Sequence, residues 1–218
     1  RRKQDMNTRD VGVAFRVWNR KLHFYFGLYL LLFLWLFGFS GLLLNHGGWG
    51  FAQFWPQREV TATQQSVQIP GVGTDIALAE ELAAQLGLSG EFDWTERLLQ
   101  ENALRFRVGQ PGDMTTVTVD LGTAEASIEN IRFNVWGMLR ALHTFTGVRD
   151  GDPTARDWLP TLLWVVSMDA VAAGSIFLVL SGIYMWYQLR TKRRPGLAAL
   201  GLGLGACSFF VFGLARLF

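Results

Sequence analysis

Cysteine is almost missing from this chain. Its single copy, Cys207, excludes an internal disulfide and a cysteine cage for a metal, and with no C-x-x-C-H there is no covalent c-type haem. Histidine is scarce too, with three copies among 218 residues. Hydrolytic and nucleotide signatures are lacking: no G-x-S-x-G, no H-E-x-x-H and no Walker loop. The G-L-G-L-G at 201–205 superficially resembles a dinucleotide loop but lies inside an apolar run. Charge is low, at 17% of residues, and it avoids three long stretches altogether or nearly so. A water-soluble domain of this size does not gather its apolar residues into runs long enough to cross a bilayer. No basic tract has the aromatic interleaving of a nucleic-acid footprint, so no nucleic acid is expected as a partner.

Three runs predict membrane-spanning helices. The first covers 22–45 (LHFYFGLYLLLFLWLFGFSGLLLN) and is too long and too aromatic for a signal peptide. The second covers 159–189, with Pro160 suited to a first helical turn and aromatics at both ends, Trp158 and Trp164 against Tyr184, Trp186 and Tyr187. The third covers 196–218. Lys and Arg placement orients them. Residues 1–21 hold seven basic residues against two Asp, and the short loop 190–195 is basic, so both are expected on the cytoplasmic side. Residues 46–160 hold eight Arg against fifteen acidic residues and are expected outside. The chain opens on Arg1 rather than Met, which leaves open whether the native chain extends before it.

The outer segment, 46–130, divides further. An aromatic, glycine-rich connector (HGGWGFAQFWPQRE) places Trp49, Phe51, Phe54 and Trp55 where headgroups lie. Residues 75–87 predict a helix with Ile76, Ala79, Leu82, Ala83 and Leu86 on one face and Gly87 just past its end. Alternation at 103–109, a Gln110-Pro111-Gly112-Asp113 turn, alternation at 114–120 and a third run through Ala124, Ala126 and Ile128 predict an antiparallel meander. Residues 131–148 predict an amphipathic helix at the outer interface, with Phe133, Trp136, Leu139, Leu142 and Phe145 as its apolar stripe. The expected fold is therefore a membrane α-helical protein of three transmembrane helices with a small extracytoplasmic α+β domain.

Polar residues inside the spans are the ones that need partners. Asp169 lies about nine residues into the second span, where an ionisable group is costly. Arg216 of the third span is the expected ion-pair partner, and Ser40 of the first is the next candidate. Ala170 and Gly174 share a four-residue spacing with Gly201 and Gly205, which predicts close packing of the second and third spans. The competing reading is a glycine-rich helix that faces lipid.

Three phrases carry a family likeness: RKLHFYFGLYLLLFLWLFGFSGLLLNH at 20–46, LRALHTFTG at 139–147 and VVSMDAVAAGSIFLVLSGIYMWYQLRTKRR at 165–194. Together they resemble the PepSY-associated transmembrane family in its short form, over residues 15–195, and the α+β segment resembles a single PepSY domain. The resemblance implies a bacterial inner-membrane protein. Longer members have more helices and histidines, and some are ferric-siderophore reductases with b-type haems between transmembrane histidines. The histidines that fall in the family's motifs are His23, His46 and His143. Three histidines allow at most one bis-histidine haem, so the long form's two-haem wire is excluded.

Within that frame His23 and His46 stand about 35 Å apart on one helix and cannot share a cofactor. His46 and His143 are expected at the same membrane face, which makes them the candidate ligands of one b-type haem, surrounded by Phe51, Trp136 and Phe145. The alternative is two interfacial histidines bonded to backbone or headgroups, and a non-haem metal is the third reading. Two functions follow. One is an accessory subunit that docks on or regulates a larger membrane complex, or a homo-oligomer, in iron or redox physiology. The other is a b-haem electron-transfer protein.

Overall fold

The computed structural model describes residues 2–71, 73–150, 152, 156, 158–189, 193–213 and 216, with side-chain surroundings from residue 12 onward. The order of elements is α1 (Arg2–Asn45), β1 (Glu59–Ser66), α2 (Asp75–Gln85), β2 (Glu91–Leu98), β3 (Ala103–Gln110), β4 (Asp113–Asp120), β5 (Glu125–Arg132), α3 (Val135–Thr144), α4 (Leu159–Gln188) and α5 (Arg193–Ser208). A π turn, Phe209–Gly213, extends α5. Among the described residues, three helical stretches are long and apolar enough to cross a membrane: Gly12–Asn45, Leu159–Gln188 and Arg193–Gly213. The chain forms two compact units, residues 1–32 with 170–218, and residues 33–169.

In the second unit the five strands form one antiparallel sheet in the order β1-β5-β4-β3-β2. Register explains its core. Phe106 pairs with Val117 and Val117 with Ile128, while Leu104 pairs with Val119 and Val119 with Ala126. These rows point to one face, where α2 lays Leu78, Ala79, Leu82 and Ala83 upon them. Leu78 takes the place expected of Ile76, which is only half-buried. Thr74 caps α2 by accepting from the Ala77 amide, and Gly87, at φ +66°, ends it in the left-handed conformation that glycine adopts without strain.

The reading of 103–120 as two strands around a Gln110–Asp113 turn agrees with the structure. Two strands went unread. β1 (EVTATQQS) is exposed along its whole length, so it shows no apolar alternation, and only its pairing with β5 makes it a strand. In β2 (EFDWTERL) a register break between Phe92 and Trp94 spoils the two-residue period. Ala124, expected in a strand, sits in the β4–β5 turn at φ +59°. That turn is held by the Asp120 carboxylate, which accepts from the Gly122 amide at 2.7 Å and the Thr123 amide at 3.0 Å. Those two backbone bonds, Thr123's first, hold the Asp120 carboxyl below its ordinary range.

Helix α3 is shorter than the predicted 131–148 because its cap and its end are specific. The Asn134 side chain accepts from the Trp136 and Gly137 amides, both at 3.1 Å, and donates to Gln53 O at 3.0 Å and Gln57 Oε1 at 2.8 Å. One asparagine thus starts the helix and ties it to the connector. Aromatic packing completes the joint: Phe54 and Trp55 meet Phe133, and Phe51 meets Trp136 edge-on at 5.5 Å. The connector is therefore packed on α3 as well as presenting exposed rings.

Candidate functional site

In the first unit, α1 and α4 pack along a seam of named pairs. Phe15 meets Tyr184, Asn19 donates to Ser181 O at 3.5 Å, His23 bonds Ser181 Oγ at 2.5 Å, Phe26 meets Phe177, and Leu30 lies against Gly174. Positions on α1 ascend by three or four while those on α4 descend by three or four, the signature of an antiparallel helix pair. Gly174 leaves room for the Leu30 side chain: a Cβ there would lie 2.7 Å from Leu30 Cδ1. Gly174 therefore packs on α1. Among the described residues nothing lies within 4 Å of a Cβ position at Gly201 or Gly205, and Ala170 is exposed.

In the second unit a second histidine meets a second serine. His143 of α3 bonds Ser40 Oγ of α1 at 2.8 Å, and its ring stands edge-on to Phe37 with centroids 5.3 Å apart. Trp164 Nε1 donates to Phe145 O at 3.1 Å and fastens the end of α3 to the start of α4.

Each serine also reaches the backbone of its own helix. Ser40 Oγ lies 2.7 Å from Leu36 O and 2.8 Å from His143 Nδ1. Ser181 Oγ lies 3.2 Å from Leu178 O and 2.5 Å from His23 Nδ1. In each pair Nδ1 is the engaged nitrogen, and Nε2 lies outside the bond. A glycine follows each serine, and the ring rests on it: His143 Cε1 is 3.5 Å from a Cβ position at Gly41, and His23 Cε1 is 3.7 Å from one at Gly182. The sequence signal for both seats is the Ser-Gly dipeptide at 40–41 and 181–182, recurring in two different spans, which had not been read as a histidine partner.

Removing one partner of such a bond strands the other. Ser40→Ala is expected to lower thermal stability in detergent by about 1 kcal/mol, in the range for side-chain hydrogen bonds between membrane helices. The double change Ser40→Ala with His143→Phe is expected to cost less than Ser40→Ala alone, because no polar group is then left unpaired. A double variant as unstable as the sum of both single changes would show that the bond is not the source.

The remaining expected residues lie apart from these pairs. His46 is exposed, bonds Leu42 O of its own helix at 2.9 Å through Nδ1 and stacks on Trp49 at 4.4 Å. Asp169 is exposed on α4, and Ser40, once considered its partner, is committed to Leu36 and His143. Arg216 is exposed beside residues outside the described set. A residue the sequence did not single out is Arg140 of α3. It is buried, its guanidinium lies 4.8 Å over the Phe54 ring, and its Nε and Nη2 have no acceptor among the described residues.

The family model described as the PepSY-associated TM region matches residues 20–215, which takes in α1, the sheet, α3, α4 and the third candidate span. The chain belongs to the PepSY-associated TM family. Its third span lies inside that match, further than the likeness read from the sequence, which ended at 195. No curated protein and no solved structure matches the chain.

By the likeness read from the sequence, His46 and His143 are the candidate ligands of one b-type haem. His46 and His143 have different partners. His143 is seated at Ser40–Gly41, about one and a half turns deeper along α1 than His46, and His46 turns to Trp49. No group of three His, Cys, Asp or Glu among the described residues is placed to hold a metal ion.

Proposed function

We propose that this PepSY-associated TM protein is a non-enzymatic accessory subunit of the bacterial inner membrane, with its α+β domain outside the cytoplasm, that docks on a larger membrane complex through α5. The observation that carries the reading is the state of that helix. None of its residues is buried against the rest of the chain, and Gly201, Gly203 and Gly205 stand open. Gly196, at the start of the helix, meets Trp186, but helices associate in a bilayer by close packing at small residues rather than by hydrophobic burial, so the 201–205 stretch, which makes no such contact among the described residues, keeps its packing surface for another chain. The lysine and arginine placement supports the orientation. The family likeness supplies iron or redox physiology as the setting.

Cys207, exposed on α5 and the chain's one cysteine, gives a direct test. A bifunctional maleimide crosslinker applied to native membranes is expected to trap one discrete adduct at Cys207. The double change Gly201→Leu with Gly205→Leu is expected to reduce that adduct at least tenfold while leaving the monomer folded. An adduct of twice the chain mass makes the partner a second copy. Absence of any adduct, or one indifferent to the leucines, overturns the docking reading.

The competing reading is one b-type haem held by His46 and His143 near the outer face. Both rings bond their present partners through Nδ1, so Nε2 of each would be the ligating atom. A reduced-minus-oxidised visible spectrum of protein from haem-replete cells tests it, and no α-band is expected. A sharp band lost in His46→Ala and His143→Ala but kept in His23→Ala would establish it instead.

A further inference from the structure

The register break in β2 does more than interrupt a strand. Glu91 pairs with Gly109, Phe92 with Val108 and Trp94 with Arg107, which leaves Asp93 as the extra residue. A bulge of this kind re-aims a side chain, and here it lays the Asp93 carboxylate over Gly109, where a Cβ would stand 3.2 Å from Oδ2. A cavity of about 250 Å³ opens at this point, between the β3–β4 turn and the end of α3.

The walls are of two kinds. Met114, Phe133, Phe145 and Val148 supply an apolar lining, while Gln110, Thr144 and Thr146 add polar groups. Thr144 donates its hydroxyl proton to Ala141 O at 3.4 Å, so its oxygen remains an acceptor. The walls are also fixed. Gly112, at φ +90°, lets the turn press on Met138, and the Asp150 amide donates to Asp93 O at 2.8 Å, tying the segment after α3 to the bulge.

Among the described residues no hydrogen-bond donor reaches the Asp93 carboxylate. Arg107, whose charge acts on Asp93, is turned to the Trp94 ring, 5.1 Å away, and to Thr116 Oγ1 at 3.4 Å. Burial accordingly holds the Asp93 carboxyl above its ordinary range, Arg107 opposes this, and Glu91 and Asp150 add to it. A half-buried carboxylate without a donor, in a cavity whose other walls are polar but uncharged or apolar, suits a cationic donor on an apolar stem.

We propose that this cavity binds a primary ammonium or guanidinium group carried on a short apolar stem, with the Asp93 carboxylate as its counter-charge. Its volume lies below the ~300–1,000 Å³ of pockets that enclose whole drug-sized ligands, which suits a single basic side chain or a small amine. The site is separate from α5 and does not rest on the docking reading.

The test uses the full chain in detergent with its methionine methyl groups isotope-labelled, since Met114 lines the cavity. Agmatine and n-butylamine are titrated, with n-butanol as the neutral control. A saturable shift of the Met114 methyl with either amine is expected, with none from butanol. Asp93→Asn should weaken binding at least tenfold, and Asp93→Glu should retain most of it, which separates loss of charge from loss of fold. Lowering the pH through the Asp93 range should release the amine. Glu91 of β2, Asp150 of the segment after α3 and Arg107 of β3 are the other charged groups that act on Asp93, so the release must be absent from the weak residual binding of Asp93→Asn. Acetyl-arginine-amide binding as tightly as agmatine assigns the cation to a protein side chain; agmatine alone binding assigns it to a free small molecule. Amines that shift Met114 no more than butanol does, or that bind Asp93→Asn undiminished, overturn the proposal.

Discussion

Gly147→Ala is expected to be among the most destabilising single changes in this protein. Gly147 closes the LRALHTFTG phrase at φ +61°, where an L-residue costs roughly 1–2 kcal/mol. A Cβ would also fall inside the contact radius of Thr161 Cγ2. Thr161 is fully buried in the first turn of α4, and its branched side chain has little freedom to retreat. Overpacking of this kind adds about 1–3 kcal/mol. The total, several kcal/mol, approaches the whole stability of a small domain. Fluorescence-detected size exclusion after a temperature ramp measures it. Combining Gly147→Ala with Thr161→Ala should recover the steric part and leave the backbone part. A Gly147→Ala protein with an unchanged melting midpoint would mean that the end of α3 and the start of α4 are not joined in this way.

Gly174→Leu is expected to open the α1–α4 seam. Leu30 is fully buried, and its Cδ1 would lie 2.7 Å from the first atom added at 174. A single methyl can be met by rotation of the Leu30 end group, so Gly174→Ala should be mild. Four carbons cannot, and the two helices would have to part along the stretch that also carries the His23–Ser181 bond. In a bilayer no hydrophobic force draws them back, because lipid tails solvate the exposed faces as well as a neighbouring helix does. The expected results are a sharp fall in folded yield and lower thermal stability, while the separately folded α+β unit keeps its β-type circular dichroism. Equal stability of the glycine and leucine forms would show that Gly174 does not set the approach.

Membrane character, the three spans and the family were legible in the sequence because they depend on composition along the chain. Twenty apolar residues in a row, basic flanks and a phrase such as LRALHTFTG need no knowledge of what lies alongside. The α2 helix and the β3–β4 hairpin were legible for a related reason: one face of each is buried, so period 3.6 or period 2 appears in the residue types. β1 was hidden because none of its residues is buried, and backbone pairing leaves no mark on residue type. β2 was hidden because one bulged residue, Asp93, breaks the alternation.

The candidate site shows the same division. The sequence supplied its histidines, the small residues of its spans and the need for polar groups in a membrane to find partners. Only the tertiary structure decided the partners: Ser40 for His143, Ser181 for His23, Leu30 for Gly174 and Trp49 for His46. Spacing along one helix says which residues share a face, but the rotation of that helix against its neighbour chooses which face is used, and that choice is a property of packed pairs rather than of either strand of sequence.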